Sequence, residues 1–325
     1  MPMHAKWQAL MGFTPLSTTG LIAVKGLDAL TFLQGQLTVN LNNVTSSQSQ
    51  LGAHCNLKGR MQSLFRIINI QKTEQEPAYL LLLPKTLLPD ALKNLKKYAI
   101  FSKVTLSEVL DLTLCGIVGE QAIASLSTYL GEPSLSALPV GGCLLATTKT
   151  DWILCRVPGE IPRLEVIMPN AFVADFQQAM QAGSNLITEP MWEQLEIQAG
   201  IPTVYPETMD ALLPHHVNLT ELAGVSFDKG CYLGQEIIAR MHYKGKIKRH
   251  MYRAQLTNSQ ETPCAGDQIV IVDAPNEAPG IVVRIAKTDE GFELLIVLDE
   301  QFADFENIRF KKADGPKLHR LNLPY

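Results

Sequence analysis

The chain has 325 residues, 46% of them hydrophobic and 18% charged, and a formal net charge of −4. This length and apolar content fit a globular protein of two or three domains with a real core, and the slight acidity excludes a globally basic nucleic-acid binder while leaving room for a local basic patch. The six cysteines, at 55, 115, 143, 155, 231 and 264, form no C-x-x-C pair and have no zinc-finger spacing to histidine, so free thiols are expected rather than a disulfide framework.

The opening MPMHAKWQALMGF has no charged segment followed by a long apolar run. The longest apolar run, AYLLLL (78–83), is far shorter than the roughly 20 residues that span a bilayer. Both readings point to a cytoplasmic protein with no membrane span. GLIAVKG (20–26) reads as a strand. The short helix ALTFLQG follows, with Asp28 as its N-cap and Gly35 as its stop. HCNLKGRMQSLFRIINI (54–70) reads as a hairpin with its turn near Asn56–Gly59 and a second strand alternating around Leu64, Arg66 and Ile68. YLLLLP reads as a buried strand. KTLLPDALKNLKKYAI reads as an amphipathic helix with Leu88, Ala91, Leu92, Leu95 and Ala99 on one face. Strands are expected at 112–118, 142–147 and 152–157, and a helix over PNAFVADFQQAMQAG. TEPMWEQLEIQAGIP (188–202) is a helix punctuated by Pro190, Gly200 and Pro202. No internal repeat is evident. Beyond residue 243, short strands separated by AGDQ, APNEAPG and TDEG suggest a small all-β domain.

The stretch DKGCYLGQE (228–236) carries the strongest chemical signal. A helix N-terminus or a neighbouring cation favours the thiolate of a cysteine. Cys231 follows Lys229 and precedes QEIIARM, which reads as helix, and the glycines at 230 and 234 permit a tight turn or close approach of a ligand. Two readings stand side by side: a reactive thiol, or a small buried apolar residue beside a glycine turn. Residues 237–260 hold six Lys and Arg, at 240, 244, 246, 248, 249 and 253, and no acid. Lys244, Lys246 and Lys248 alternate, so on a strand they would share one face. That face could attract phosphates or simply guard a sheet edge. Trp192 shares a helix face with Leu195 and Ala199, which places it in the core, although its ring also offers a stacking surface. His215 and His216, adjacent on an extended segment, point apart and make a poor metal pair. NLKGR could meet an anion but is too short for a phosphate loop, and a surface turn is its default reading.

Lys229, Gly230, Cys231, Tyr232, Gly234, Gln235 and Glu236 match K-G-C-Y-x-G-Q-E, the hallmark of the YgfZ family, folate-binding relatives of the glycine-cleavage T protein aminomethyltransferase. GLDALTFLQGQLTVNL (26–41), AHCNLKGRM, KKYAIFSKV, WEQLEIQAGIP, PHHVNL, GVSFDKGCYLGQEIIAR and LNLPY resemble that family in order along the chain. The resemblance implies an α+β fold: a pseudo-symmetric, folate-binding GcvT-like region with a central channel over 1–243, open to a split into two subdomains, then a small C-terminal β-barrel over 244–325. It implies a tetrahydrofolate or a derivative as cofactor, and a role in making or repairing iron–sulfur enzymes, including those that methylthiolate tRNA. Those enzymes and tRNA are the implied partners, met by Arg240, Lys244, Lys246, Lys248 and Arg249. Trp192 is then expected to stack on folate, with Gly230, Tyr232, Gly234, Gln235 and Glu236 in the binding segment and Cys231, assisted by Lys229, as a functional thiol. The chain departs from the pattern at Thr18, Thr19 and Gly20, where other members carry a second tryptophan. It has no Asp between Asp28 and Asp90, where aminomethyltransferases carry one, and the acids there are Glu74 and Glu76. A tetrahydrofolate-dependent aminomethyltransferase is therefore the alternative reading. A hydrolase using Cys231 with His242 or His215 is the third.

Overall fold

Residues 12–325, apart from 72, 74, 75, 147–150, 182–186, 258 and 275, are described by the computed structural model. The segment 1–11 read for targeting, Glu74 and Thr147 lie outside the described residues. The alternating apolar runs assemble into two five-stranded antiparallel sheets. The first is built from β2 (Thr19–Lys25), β3 (Gln50–Cys55), β4 (Met61–Asn69), β5 (Ala78–Pro84) and β6 (Thr105–Glu108), in the order β3-β4-β5-β2-β6. The second is built from β1 (Gly12–Pro15), β7 (Leu112–Val118), β8 (Cys143–Leu145), β9 (Ile153–Val157) and β10 (Arg163–Pro169), in the order β1-β7-β10-β9-β8.

The two sheets repeat one design. β5 ends in Pro84, a 3-10 turn covers Lys85–Leu87, and helix α2 (Leu88–Lys96) follows. β10 ends in Pro169, a 3-10 turn covers Asn170–Phe172, and helix α4 (Val173–Gln181) follows, each segment matching its counterpart in length. Proline has no N–H to continue a ladder, so the strand stops and the chain turns into helix. Helix α1 (Ala29–Gln36) and helix α3 (Glu120–Leu130) follow β2 and β7 in the same way. Each unit lends its leading strand to the other: β1 pairs with β7, and β6 pairs with β2. The sequence shows no internal repeat because the repetition lies in the order of elements, not in residue identity.

On the first sheet Ile22, Val24, Phe65 and Ile67 are buried with Phe32 and Leu33 of α1 and with Leu88, Ala91 and Leu95 of α2. Full burial of each such Val, Leu, Ile or Phe side chain stabilises by about 1.5–3 kcal/mol. The third sheet contains β11 (Arg249–Leu256), β12 (Gln268–Ile271), β13 (Gly280–Thr288), β14 (Gly291–Asp299), β15 (Ile308–Phe310) and β16 (Leu318–Leu321), in the order β15-β12-β13-β14-β11-β16. Its two edges meet at an isolated bridge between Arg309 and Lys317, so the sheet curls back on itself. Leu294, Ile296 and Leu298 pack inside this curl with Ile308 and Phe310. Val283, Ala286, Leu295 and Val297 face outward and join the core of the first sheet. Helix α5 (Glu189–Gln198) packs along β13, and helix α6 (Gln235–Lys244) leads into β11.

Several local expectations are corrected. Helix α1 runs through Gly35 to Gln36, and Asp28 makes no side-chain cap; its carboxylate instead accepts the Lys103 N–H at 2.7 Å. Lys244 closes α6, and Lys246 and Lys248 precede β11, so the three lysines share no strand face. The helical period begun after Gly234 continues through Lys244, and the alternation never applies. Cys143 and Cys155, opposite each other on β8 and β9, form a disulfide, leaving Cys55, Cys115, Cys231 and Cys264 as free thiols. Among the described residues, no helix is long and apolar enough to cross a membrane.

Candidate functional site

The two sheets, α5 and β13 enclose a cavity of about 590 Å³. Leu51, Leu64, Leu82 and Trp192 form apolar walls, Arg66, Glu165, Glu193, Glu196 and Arg284 supply charge, and Ser17, Thr18 and Lys85 belong to its polar lining. Strand alternation puts Leu64 and Arg66 on the same side of β4. Arg66 Nε lies 2.9 Å from Glu165 Oε2 on β10. Behind them Arg163 Nη1 lies 2.9 Å from Glu196 Oε1, and Glu196 Oε2 lies 3.2 Å from Arg284 Nη1. Arg284 also forks onto Glu193 at 2.8 and 2.9 Å and donates to the Ile201 carbonyl at 3.0 Å.

An unpaired ion costs several kcal/mol to bury, and here three guanidiniums answer three carboxylates. Burial acts to raise the Glu196 pKa, but the guanidiniums of Arg163 and Arg284 overcome it and hold the carboxyl below the usual range. Burial acts to lower the Arg284 pKa, and Glu193 and Glu196 overcome it in turn. At Glu165 burial prevails over Arg66, and the carboxyl is pushed up. The Arg66–Glu165 and Arg163–Glu196 pairs both lie at ion-pair distance without an aligned hydrogen bond.

Trp192 on α5 is only 3% exposed. The Arg163 guanidinium lies 4.8 Å from its ring centroid. On β7, a Cβ at Gly116 would come within 2.4 Å of the ring, so this glycine permits the close approach. Trp192 is thus both core and cavity wall. Where the resemblance expects a second tryptophan, the chain builds a polar clamp. The Glu189 carboxylate at the start of α5 accepts from Ser17 Oγ at 2.8 Å, Thr18 N at 2.9 Å and Thr18 Oγ1 at 2.6 Å. The network residues Arg66, Arg163, Glu165, Glu193, Glu196 and Arg284 were not singled out as site residues from sequence. The available signal was charge inside apolar strands: Arg66 between Leu64 and Ile68, Arg163 and Glu165 in RLEVIMP, and Arg284 in GIVVRIAKT.

The KGCYLGQE segment is placed elsewhere, and none of its residues lines this cavity. Cys231 is exposed. The Lys229 ammonium donates to the carbonyls of Gln34, Leu37 and Val39 at 2.7, 2.7 and 2.8 Å. These carbonyls lie at or beyond the end of α1, where a helix leaves acceptors unsatisfied and favours a cation. Burial pushes the Lys229 pKa down to about 8, while the carbonyls favour the charged form. Lys229 lies 5.0 Å from the centroid of the Tyr232 ring, and Tyr232 is buried with its phenol unpartnered. The Leu233 N–H donates to the Gly35 carbonyl at 3.1 Å, and Gln235 Oε1 accepts from Tyr232 N at 3.3 Å.

Gly234 has φ +82°, and a Cβ there would lie 2.5 Å from the Asn56 carbonyl oxygen and 3.0 Å from Gly59 Cα. The tip of the β3–β4 hairpin therefore seats on the start of α6, glycine against glycine. Glu236 is exposed in the first helical turn, where a carboxylate suits the helix dipole. Arg240, Lys244, Lys246, Lys248 and Arg249 are all exposed, and Lys246 pairs with Glu300 at 2.9 Å. His215 is buried 6.2 Å from the His242 ring, and His242 stacks on Phe227 at 3.8 Å. No hydrogen bond joins Cys231 to either imidazole among the described residues, and no group of three metal-ligating side chains occurs among them.

No family model matches the chain. Among curated proteins it is 34% identical over 313 residues to the tRNA-modifying protein YgfZ of Colwellia psychrerythraea, covering 95% of this chain and 92% of that one. It is 31% identical over 311 residues to the protein of the same name from Klebsiella pneumoniae, covering 95% and 91%. Among solved structures it superposes on the glycine cleavage system aminomethyltransferase T from Bartonella henselae with a TM-score of 0.77, over 99% of this chain and 87% of that one. The identity is 16%, so this likeness is one of fold.

Proposed function

The chain belongs to the YgfZ family, and on that premise we propose that it is a cytoplasmic, folate-binding accessory protein that supports iron–sulfur enzymes in tRNA modification. The cavity carries this reading. Its volume of about 590 Å³ falls within the range of small-molecule sites, which combine apolar walls with a few fixed polar groups. A pterin is flat and edged with N–H donors and ring acceptors. The residues present fit it: Trp192 with Leu64 and Leu82 for the ring, Glu165 and Arg66 for its edge, and Lys85 for the carboxylates of the glutamate tail. Bound tetrahydrofolate would supply one-carbon chemistry. The protein's own share is to orient the ring against Trp192, to exclude water, and to hold a carboxyl whose pKa is raised by burial at Glu165. On this reading the chain divides at 243/244, with the thiol segment in the first unit, where Cys231 meets a partner of the modification machinery.

Anaerobic calorimetric titration with tetrahydrofolate tests the ligand. One-site saturable binding is expected, weakened at least tenfold in Trp192→Ala and in Glu165→Gln. The absence of heat at near-millimolar ligand would overturn it. The cellular role is read separately, by tRNA methylthiolation in cells lacking the native gene, where the wild-type chain restores the modification and Cys231→Ser does not.

A further inference from the structure

We propose that Lys93–Lys103, the end of α2 and the loop after it, forms a docking surface for RNA with unpaired bases, as in a tRNA loop. The inference rests on the tRNA side of the proposed function and concerns residues outside both the cavity and the basic stretch after Gly234. Residues 91–104 hold four lysines, at 93, 96, 97 and 103, and no acid. Helix α2 turns Leu88, Ala91 and Leu95 inward and leaves Lys93, Lys96 and Lys97 exposed. Lys97 Nζ donates to Asn94 Oδ1, while Lys93, Lys96 and Lys103 take part in no ion pair among the described residues. The Asp28 carboxylate is occupied by the Lys103 N–H.

The loop then presents Ile100 at 75% exposure and Phe101 at 99%. Two consecutive large apolar residues left this exposed are unusual on a soluble protein and mark a contact surface. The loop is held in place. The Ala99 N–H donates to the Lys96 carbonyl, Ser102 N–H to Ala99, and Val104 N–H to Ser102. The Gly26–Asp28 turn packs against Lys103, and a Cβ at Gly26 would sit 2.2 Å from its carbonyl oxygen. Tyr98, 43% exposed, sets its ring edge-on to buried His54 at 6.2 Å. Phe101 is therefore displayed at the apex of a braced turn, flanked by cations. Lysines attract phosphates, and an exposed aromatic ring stacks on bases that are not already stacked in a duplex.

Fluorescence anisotropy with a labelled tRNA anticodon stem-loop, and with the same stem closed into a loopless duplex, tests this. The variants are Phe101→Ala and the triple Lys93→Glu, Lys96→Glu, Lys97→Glu, each checked by thermal melting. The triple variant is expected to lose at least tenfold in affinity and to flatten the log–log salt slope by about 2, from three phosphate contacts at roughly 0.7 each. Phe101→Ala is expected to lose about 5- to 10-fold on the stem-loop and little on the duplex. Unchanged affinity in the triple variant overturns the inference. So does an equal loss on both RNAs in Phe101→Ala, or binding to anionic phosphatidylserine vesicles in place of RNA. If the wild-type chain restores methylthiolation but the variants bind as it does, this inference alone fails. If the wild-type chain does not restore methylthiolation, the proposed function fails first.

Discussion

The cavity and the thiol segment hold buried cations by different means. In the cavity Arg66, Arg163 and Arg284 are met by Glu165, Glu196 and Glu193. At the thiol segment Lys229 meets no carboxylate among the described residues and donates to three backbone carbonyls around the end of α1. The first arrangement is a charge-balanced network that sets Arg66, Glu165, Glu193, Glu196 and Arg284 in the cavity wall. The second recognises the shape of a helix end. Lys229 therefore acts as a latch between FLQGQ and KGCY, two residues before the exposed Cys231.

The largest expected effect tests the network. In Glu196→Gln, Arg163 loses its carboxylate and Arg284 keeps only Glu193. Breaking a buried pair from one side costs about 3–5 kcal/mol. Urea unfolding should show a lower midpoint with an unchanged slope. A loss below about 1 kcal/mol would mean that water, not Glu196, balances these charges.

Much of the thiol segment was legible because its signal is contiguous. K-G-C-Y-x-G-Q-E named Cys231 and the glycines in one run, and Gly234 takes the positive φ that only glycine adopts easily. The role of Lys229 was not legible, since its partners at Gln34, Leu37 and Val39 are distant in sequence and are backbone atoms. The hairpin at Asn56–Gly59, the strand at 78–84 and the punctuated helix at 189–198 followed from period and from Gly and Pro. The cavity was nearly invisible. Its charges come from β4, β10, α5 and β13, and only the exchange of leading strands and the packing of α5 on β13 bring them together. An arginine in an apolar strand signals that a partner exists, but not which one.

A smaller effect tests the latch. Lys229→Met leaves carbonyls around the end of α1 without their donor and should cost about 2–3 kcal/mol. Lys229→Arg should not restore it, because a planar fork does not fit three converging carbonyls. Amides of 226–236 should exchange hydrogen faster, since the segment is no longer tied to α1. If Lys229 instead served mainly to tune the thiol, the variant would keep its stability and exchange pattern and would shift only the pH profile of Cys231 alkylation.

The smallest expected effect separates the two glycines beside the thiol. Gly234→Ala forces a Cβ against the Asn56 carbonyl at φ +82° and should cost on the order of 1–3 kcal/mol. At Gly230 a Cβ would meet nothing within 4 Å, and φ lies outside the left-handed region. Gly230→Ala should therefore leave the melting temperature and the exchange of the segment unchanged. Its effect on tRNA methylthiolation in cells then isolates the open space next to Cys231. Full activity would make Gly230 dispensable and leave Gly234 as the glycine this segment requires. Loss of activity in a fully folded variant would mean that something larger than water closes on the thiol from the Gly230 side, because the described residues place nothing within 4 Å there.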